Sequence, residues 1–189
     1  MPSSIAALPL LFQGEEWAEE APFDYFTSHG DPGLAEAVRK GRHQEYLHLL
    51  EEDADLGTWA DPQEVETFLR CKLRWASVDR APHAEMLAFY RALIALRRRL
   101  PPLRNGRKDL VRLAFHEDER WLAIERRDPG GAATFTAANL ADATARVRSP
   151  AGRWRLALAT EGPPRAEGGG TLLLAPWSAA IYELESPSP

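Results

Sequence analysis

A single cysteine, Cys71, occurs in the 189 residues, so an intrachain disulfide and a cysteine-based metal site are both excluded. The five histidines, at 29, 43, 48, 83 and 116, never fall into the His-Glu-x-x-His spacing of a zinc-protease helix. Glycine-rich phosphate and dinucleotide loops are missing, as is the Gly-x-Ser-x-Gly elbow of a serine hydrolase. No cofactor and no metal ion are expected. Positive charge is in deficit: 23 Lys and Arg against 28 Asp and Glu leave a net charge of −5. Such a chain is a poor neutraliser of phosphates, so no nucleic-acid partner is expected. No apolar run approaches the ~20 residues a spanning helix needs, and no membrane partner is expected. The opening residues resemble a signal peptide only superficially, because they lack a basic leading region and Pro9 breaks their short apolar part. A lone thiol suits a reducing compartment. These absences together predict a soluble, cytoplasmic protein.

What is present is a globular composition, 44% hydrophobic and 27% charged, with six tryptophans. The length suffices for one or two domains with a real core. Leu8 to Phe12 is a continuous apolar run, the pattern of a strand buried on both faces. Asp31-Pro32 reads as a helix cap followed by proline in the first turn. The spacing predicts a helix carrying Leu34 and Val38 that pauses at Gly41, then a second stretch from Gln44 to Glu52. Asp61-Pro62-Gln63-Glu64 has the form of a capping box, and Val65, Phe68, Leu69, Leu73 and Ala76 then fall on one face. Pro82 opens the strongest helix, striped by Met86, Phe89, Leu93, Leu96 and Leu100 and ended by Pro101-Pro102. Beyond residue 107 short strands alternate with turns: 110–115, 121–126, 133–139, 143–147, 154–159, 171–175 and 179–184. Gly162 to Gly170 reads as a flexible loop and Ser186 to Pro189 as a disordered tail. The fold class expected is α+β, with a strand and helices over 1–106 and an antiparallel β-sandwich over 107–189.

The residues that carry chemistry crowd the loop after the apolar run. Glu15, Glu16, Glu19, Glu20, Asp24 and Asp31 lie within it. Glycosidic hydrolysis needs two carboxyl groups on opposite sides of the bond. Adjacent Glu15 and Glu16 point to opposite faces of extended chain, so that pair alone forms no clamp. Their position at a strand end suits ligand contact. Glu19 and Glu20 read equally as a solvated acidic loop. Trp17, Phe23 and Tyr25 offer flat apolar surfaces to sugar C–H faces, or else pack as core. His29, near Asp31, could bond a hydroxyl group. Glu15, Glu16, Trp17, Phe23, Tyr25 and His29 are therefore the expected substrate-binding residues, and none is expected to be catalytic.

The segment Pro9-Leu10-Leu11-Phe12-Gln13-Gly14-Glu15-Glu16-Trp17 resembles the end of the eighth barrel strand in the α-amylase superfamily. Ala21-Pro22-Phe23-Asp24-Tyr25-Phe26-Thr27-Ser28-His29 and residues 34–46 are similar to the malto-oligosyltrehalose trehalohydrolase family, with glycogen branching enzymes as the alternative. Asp61-Pro62-Gln63, Lys72-Leu73-Arg74-Trp75 and Ala92 to Arg97 resemble the stretch around that family's last barrel helix. Ala138-Asn139-Leu140 and Leu174 to Ala179 resemble its C-terminal β-sandwich. The resemblance implies the closing part of a (β/α)₈ barrel, of the TIM type, and an appended sandwich. It also implies that the aspartate nucleophile, glutamate acid/base and stabilising aspartate belong to strands absent from this segment. The implied substrate is an α-glucan, malto-oligosyltrehalose, cut at an α-1,4 bond to release trehalose. Gln13 stands where the family commonly has methionine.

Three functions follow as expectations. The chain is part of a trehalose-releasing hydrolase, inactive without the rest of its barrel. Otherwise it is a glucan-binding module using Trp121, Trp154 or Trp177, or an interaction protein docking a partner, the missing barrel half or itself through exposed apolar surface.

Overall fold

The computed structural model describes residues 10–51 and 59–185. Leu8 and Pro9 of the expected strand, and the tail from Ser186, lie outside the described residues. The chain divides into two compact units, Phe12–Met86 and the remainder, with the division falling inside one helix. No helix among the described residues is long and apolar enough to cross a membrane.

Phe12–Met86 is helical. Leu10 to Phe12 are exposed coil rather than strand, since a strand needs a neighbour to satisfy its N–H and C=O groups. Gly14, at φ 88°, reverses the chain into a 3₁₀ turn, Glu15–Trp17. Helix α1 runs unbroken over Pro32–Glu51, capped by Asp31 Oδ1, which accepts the Leu34 N–H at 2.7 Å. The expected pause at Gly41 is corrected: glycine costs a helix only about 1 kcal/mol relative to alanine. Ion pairs from Glu36 to Arg39 and Lys40, and from Glu45 to Arg42, flank it on the same helix.

Asp61 does not close the expected capping box. Its carboxylate instead accepts the Gln63 N–H at 2.9 Å and the Arg39 Nε–H at 2.5 Å. Helix α2 is short, Val65–Arg70, and Val65, Phe68 and Leu69 stay exposed, while Thr67 and Cys71 are the buried side. It ends in i→i−3 bonds, from Cys71 N–H to Phe68 O at 3.2 Å and from Lys72 N–H to Leu69 O at 3.3 Å, and the Arg74 N–H beyond them donates to Glu19 Oε2 at 2.7 Å. Helix α3, His83–Arg99, follows Pro82 as expected, with three arginines in its last turn at the negative end of the helix dipole. Pro101-Pro102 does more than stop it. Proline's fixed φ opens another single turn, α4, over Pro101–Arg104.

The second unit holds the sandwich. Strands β1 Val111–His116, β2 Trp121–Arg127, β3 Ala133–Asn139, β5 Trp154–Ala159 and β8 Ala179–Leu184 form one antiparallel sheet in the order β1-β2-β3-β8-β5. β4 Ala145–Arg148, β6 Arg165–Glu167 and β7 Thr171–Leu174 form a second, in the order β4-β7-β6. β6 lies inside the stretch read as a flexible loop. It pairs with β7 from Arg165 opposite Leu173 to Glu167 opposite Thr171. Period-two alternation brings Ala123, Phe135, Ala137, Ala180 and Tyr182 of one sheet against Ala145, Val147 and Leu174 of the other. Trp121 and Trp154 pack on this core, whereas Trp177 is 64% exposed.

Candidate functional site

The loop over residues 12–29 is built by Gly14 and by one carboxylate. A β-carbon at Gly14 would stand 2.7 Å from Glu19 Cβ, so only glycine lets the 3₁₀ turn close onto the chain that follows. Glu19 is 4% exposed at its side chain and accepts five hydrogen bonds. Oε1 takes the N–H groups of Glu20 and Ala21, both at 2.9 Å, and Arg74 Nε–H at 3.0 Å. Oε2 takes the Arg74 N–H at 2.7 Å and the indole N–H of Trp17 at 3.4 Å. Burial opposes the charge, but the Ala21 and Arg74 amides, the Arg74 guanidinium and the Trp17 indole together lower the Glu19 pKa to about 2. The solvated reading of Glu19 is corrected: it is the anchor of the loop.

The expected site residues separate into three places. Glu15 and Phe23 line a cavity of about 270 Å³ with Phe12, Gln13, Glu19 and Cys71. Glu15 Oε2 also accepts the Phe12 N–H at 3.0 Å, and the Phe12 and Phe23 rings meet edge to face at 4.8 Å. Tyr25 lines a second hollow of about 160 Å³ with Tyr46 and Trp59, its ring covered by the Arg42 guanidinium at 3.9 Å. Glu16, Trp17 and His29 line neither. Glu16 is half-buried in the 3₁₀ turn. Trp17 is 3% exposed, packed against Trp75 at 4.9 Å, and its carbonyl accepts His83 Nδ1–H at 2.8 Å. The tryptophan presents no open face. The His29 N–H donates to Gln63 Oε1 at 3.4 Å.

The Glu19 carboxylate of this loop is not suited to act as a general acid. An acid that protonates a leaving oxygen needs a raised pKa, and Glu19 is pushed the other way. Sequence reasoning missed the Glu19–Arg74 pair because 55 residues separate its members. Cys71 was also missed as a cavity residue; its Sγ accepts the Asp24 N–H at 3.2 Å. Among the described residues, no group of three or more His, Cys, Asp or Glu side chains is placed to hold a metal ion.

Comparison with known proteins places this architecture. A family described as a domain of unknown function, DUF3459, matches residues 108–181. The chain is 38% identical over 176 residues to a malto-oligosyltrehalose trehalohydrolase of Brevibacterium helvolum, covering 93% of this chain and 28% of the relative. It is likewise 38% identical to the protein of that name from Rhizobium sp. strain M-11, covering 92% of this chain and 27% of the relative. The chain thus spans little more than a quarter of the curated relatives it matches. Among solved structures, a Salmonella typhimurium protein assigned to the α-amylases superposes with a TM-score of 0.71 at 29% identity, over 94% of this chain and 28% of that one.

Proposed function

We propose, from the chain's homology to the malto-oligosyltrehalose trehalohydrolases of the α-amylase superfamily, that it supplies the barrel-closing helices and C-terminal sandwich of a glycoside hydrolase. The reaction is release of trehalose from malto-oligosyltrehalose by hydrolysis of an α-1,4-glucosidic bond. The observation that carries this reading is the match along 93% of the chain to 28% of such a protein. The cavity at Glu15 and Phe23 then lines one side of a glucan cleft. The opposed carboxylates, about 5 Å apart in a retaining enzyme, then belong to the rest of the barrel. A cytoplasmic setting agrees with the single unpaired thiol of Cys71.

The test mixes the purified 189-residue chain with the Brevibacterium helvolum relative from which the matched stretch has been deleted. Trehalose is then measured after addition of malto-oligosyltrehalose. Neither polypeptide alone is expected to release trehalose, and the mixture is. Turnover by the 189-residue chain alone would refute the reading, as would an inert mixture. Branching of amylose by the mixture, without trehalose release, would move the assignment to the branching enzymes.

A second reading, a glucan-binding module, is favoured by Trp177, exposed and held at a left-handed φ of 53° beyond β7. Calorimetric titration with maltoheptaose is expected to give heat that Trp177→Ala abolishes, since sugar–indole stacking needs the open face. Absence of heat at millimolar sugar would eliminate this module.

A further inference from the structure

The hollow of about 160 Å³ at Tyr25 is walled by aromatic rings from three separate stretches of chain. Tyr25 belongs to the loop over residues 12–29, Tyr46 to α1, and Trp59 to the segment that precedes α2. Short hydrogen bonds hold those stretches together. The Thr27 N–H donates to Pro62 O at 2.8 Å, and Gln63 Nε2 donates to Thr27 Oγ1 at 2.5 Å. Arg39 of α1 donates from Nε to Asp61 Oδ2 at 2.5 Å. Pro62, at the base of the hollow, is buried. The walls are therefore set by the fold, as in a site formed before its ligand arrives.

Two charged side chains reach the same hollow, and each is already balanced. Asp24 Oδ2 lies 2.6 Å from the Arg70 guanidinium, and Arg42 Nη1 donates to Glu45 Oε2 at 2.7 Å. Hydrogen-bonding capacity is nonetheless left over. Asp24 Oδ1, the remaining N–H groups of Arg42 and the indole N–H of Trp59 have no hydrogen-bond partner among the described residues. The chemistry of the occupant follows by elimination. An ion of either sign meets charges that are already neutralised, and the Arg42 guanidinium, 3.9 Å above the Tyr25 ring, occupies the face a ligand cation would use. A wholly apolar molecule would strip water from a carboxylate and a guanidinium without replacing their bonds. A neutral ring with apolar C–H faces and peripheral hydroxyls meets both demands, because its faces rest on aromatic rings while its hydroxyls bond the charged groups. The hollow is smaller than the ~300–1,000 Å³ of pockets for drug-sized ligands, so it suits one ring and not a chain of them.

We infer that this hollow binds a single pyranose ring and, resting here on the trehalohydrolase reading, that the ring is a glucosyl unit of an α-glucan. Trp59 and the exposed part of Tyr25 take the C–H faces of the sugar. Asp24 Oδ1 accepts one hydroxyl, and Arg42 donates to another.

The test titrates the full 189-residue chain with maltotriose in a calorimeter, with sorbitol and tetramethylammonium as comparison ligands. Maltotriose is expected to bind at millimolar concentration. Sorbitol, which has hydroxyls but no ring face, and tetramethylammonium, which has charge but no hydroxyls, are expected to give no heat. Trp59→Ala and Tyr25→Ala are each expected to weaken maltotriose roughly tenfold. Trp59→Phe, which keeps an aromatic face, should recover most of that loss, and melting curves confirm that each variant is folded. No heat from maltotriose, or heat indifferent to Trp59→Ala and Tyr25→Ala, would overturn the inference. Tetramethylammonium or sorbitol binding as well as maltotriose would overturn it too. Heat that Trp177→Ala abolishes would do the same, by moving the sugar to the sandwich as the binding-module reading requires. Trehalose release in the mixing assay separates the two proposals. Trp59-dependent binding without trehalose release refutes the function and keeps the sugar site, and trehalose release without Trp59-dependent binding does the reverse.

Discussion

Asn139→Ala is expected to destabilise the sandwich by about 3 kcal/mol, lowering its melting temperature by roughly 10–20 °C in a unit of this size. Asn139 is 0% exposed at the end of β3. Its Nδ2 donates to Ala143 O and Ala175 O, both at 2.8 Å, and more distantly to Leu174 O at 3.3 Å. Its Oδ1 accepts the Ala141 N–H at 3.0 Å. One amide therefore ties β3 of the larger sheet to the end of β7 in the smaller, and satisfies backbone groups that no ladder reaches. Alanine leaves three or four of those groups buried and unpaired, at about 1 kcal/mol or more each. Asn139→Asp should be worse, because a carboxylate cannot donate and would face two close carbonyl oxygens. Thermal and urea unfolding measure both. A shift below about 4 °C for Asn139→Ala, worth roughly 1 kcal/mol, would show that the inter-sheet clamp is not what holds the sandwich.

The sandwich was legible because its signals are local. Alternation in Ala133–Asn139 and Ala179–Leu184, with turn residues between runs, placed those strands at their observed bounds. β6 escaped because Arg165-Ala166-Glu167 has no apolar alternation and lies between glycines; only pairing with β7 makes it a strand. The helical unit was less legible because its decisive contacts are distant in sequence. Glu19 looks solvated until Arg74, 55 residues away, is folded onto it. The candidate site divided for the same reason. Glu15 and Phe23 share a cavity, while Trp17 turns inward to Trp75 and Tyr25 joins Tyr46 and Trp59, pairings that no short window of sequence contains. Gln13 lines the cavity with Glu15 and Phe23.

Glu19→Ala is expected to unfold the loop over residues 12–29 locally and to cost about 3 kcal/mol, since it removes charge-assisted hydrogen bonds from five donors. Glu19→Gln keeps the shape but loses the charge. It also turns one donor toward the ring of N–H groups, so it should recover little. The acid dependence follows from the sign of the shift. The folded pKa, about 2, lies below the ordinary 4.5, so the folded state binds this proton less readily than the unfolded state. The stabilisation is complete above about pH 4.5 and is lost as the pH falls from there toward 2. Hydrogen exchange of the Ala21 and Arg74 amides should therefore accelerate over that interval in wild type. In Glu19→Gln exchange should be fast and independent of this titration already at neutral pH, after correction for the intrinsic rate. The Asn139 amide, in the other unit, provides the internal reference: its protection should be indifferent to Glu19. Slow exchange at Arg74 in both Glu19 variants would mean that the loop is held by the packing of Trp17 on Trp75 and not by the carboxylate. The cavity bearing Glu15 and Phe23 would then survive acid. Protection that wild type loses only below about pH 4.5, and that both variants lack already at neutral pH, would instead make Glu19 the group that sets the cavity's shape, with consequences for any glucan contact made there.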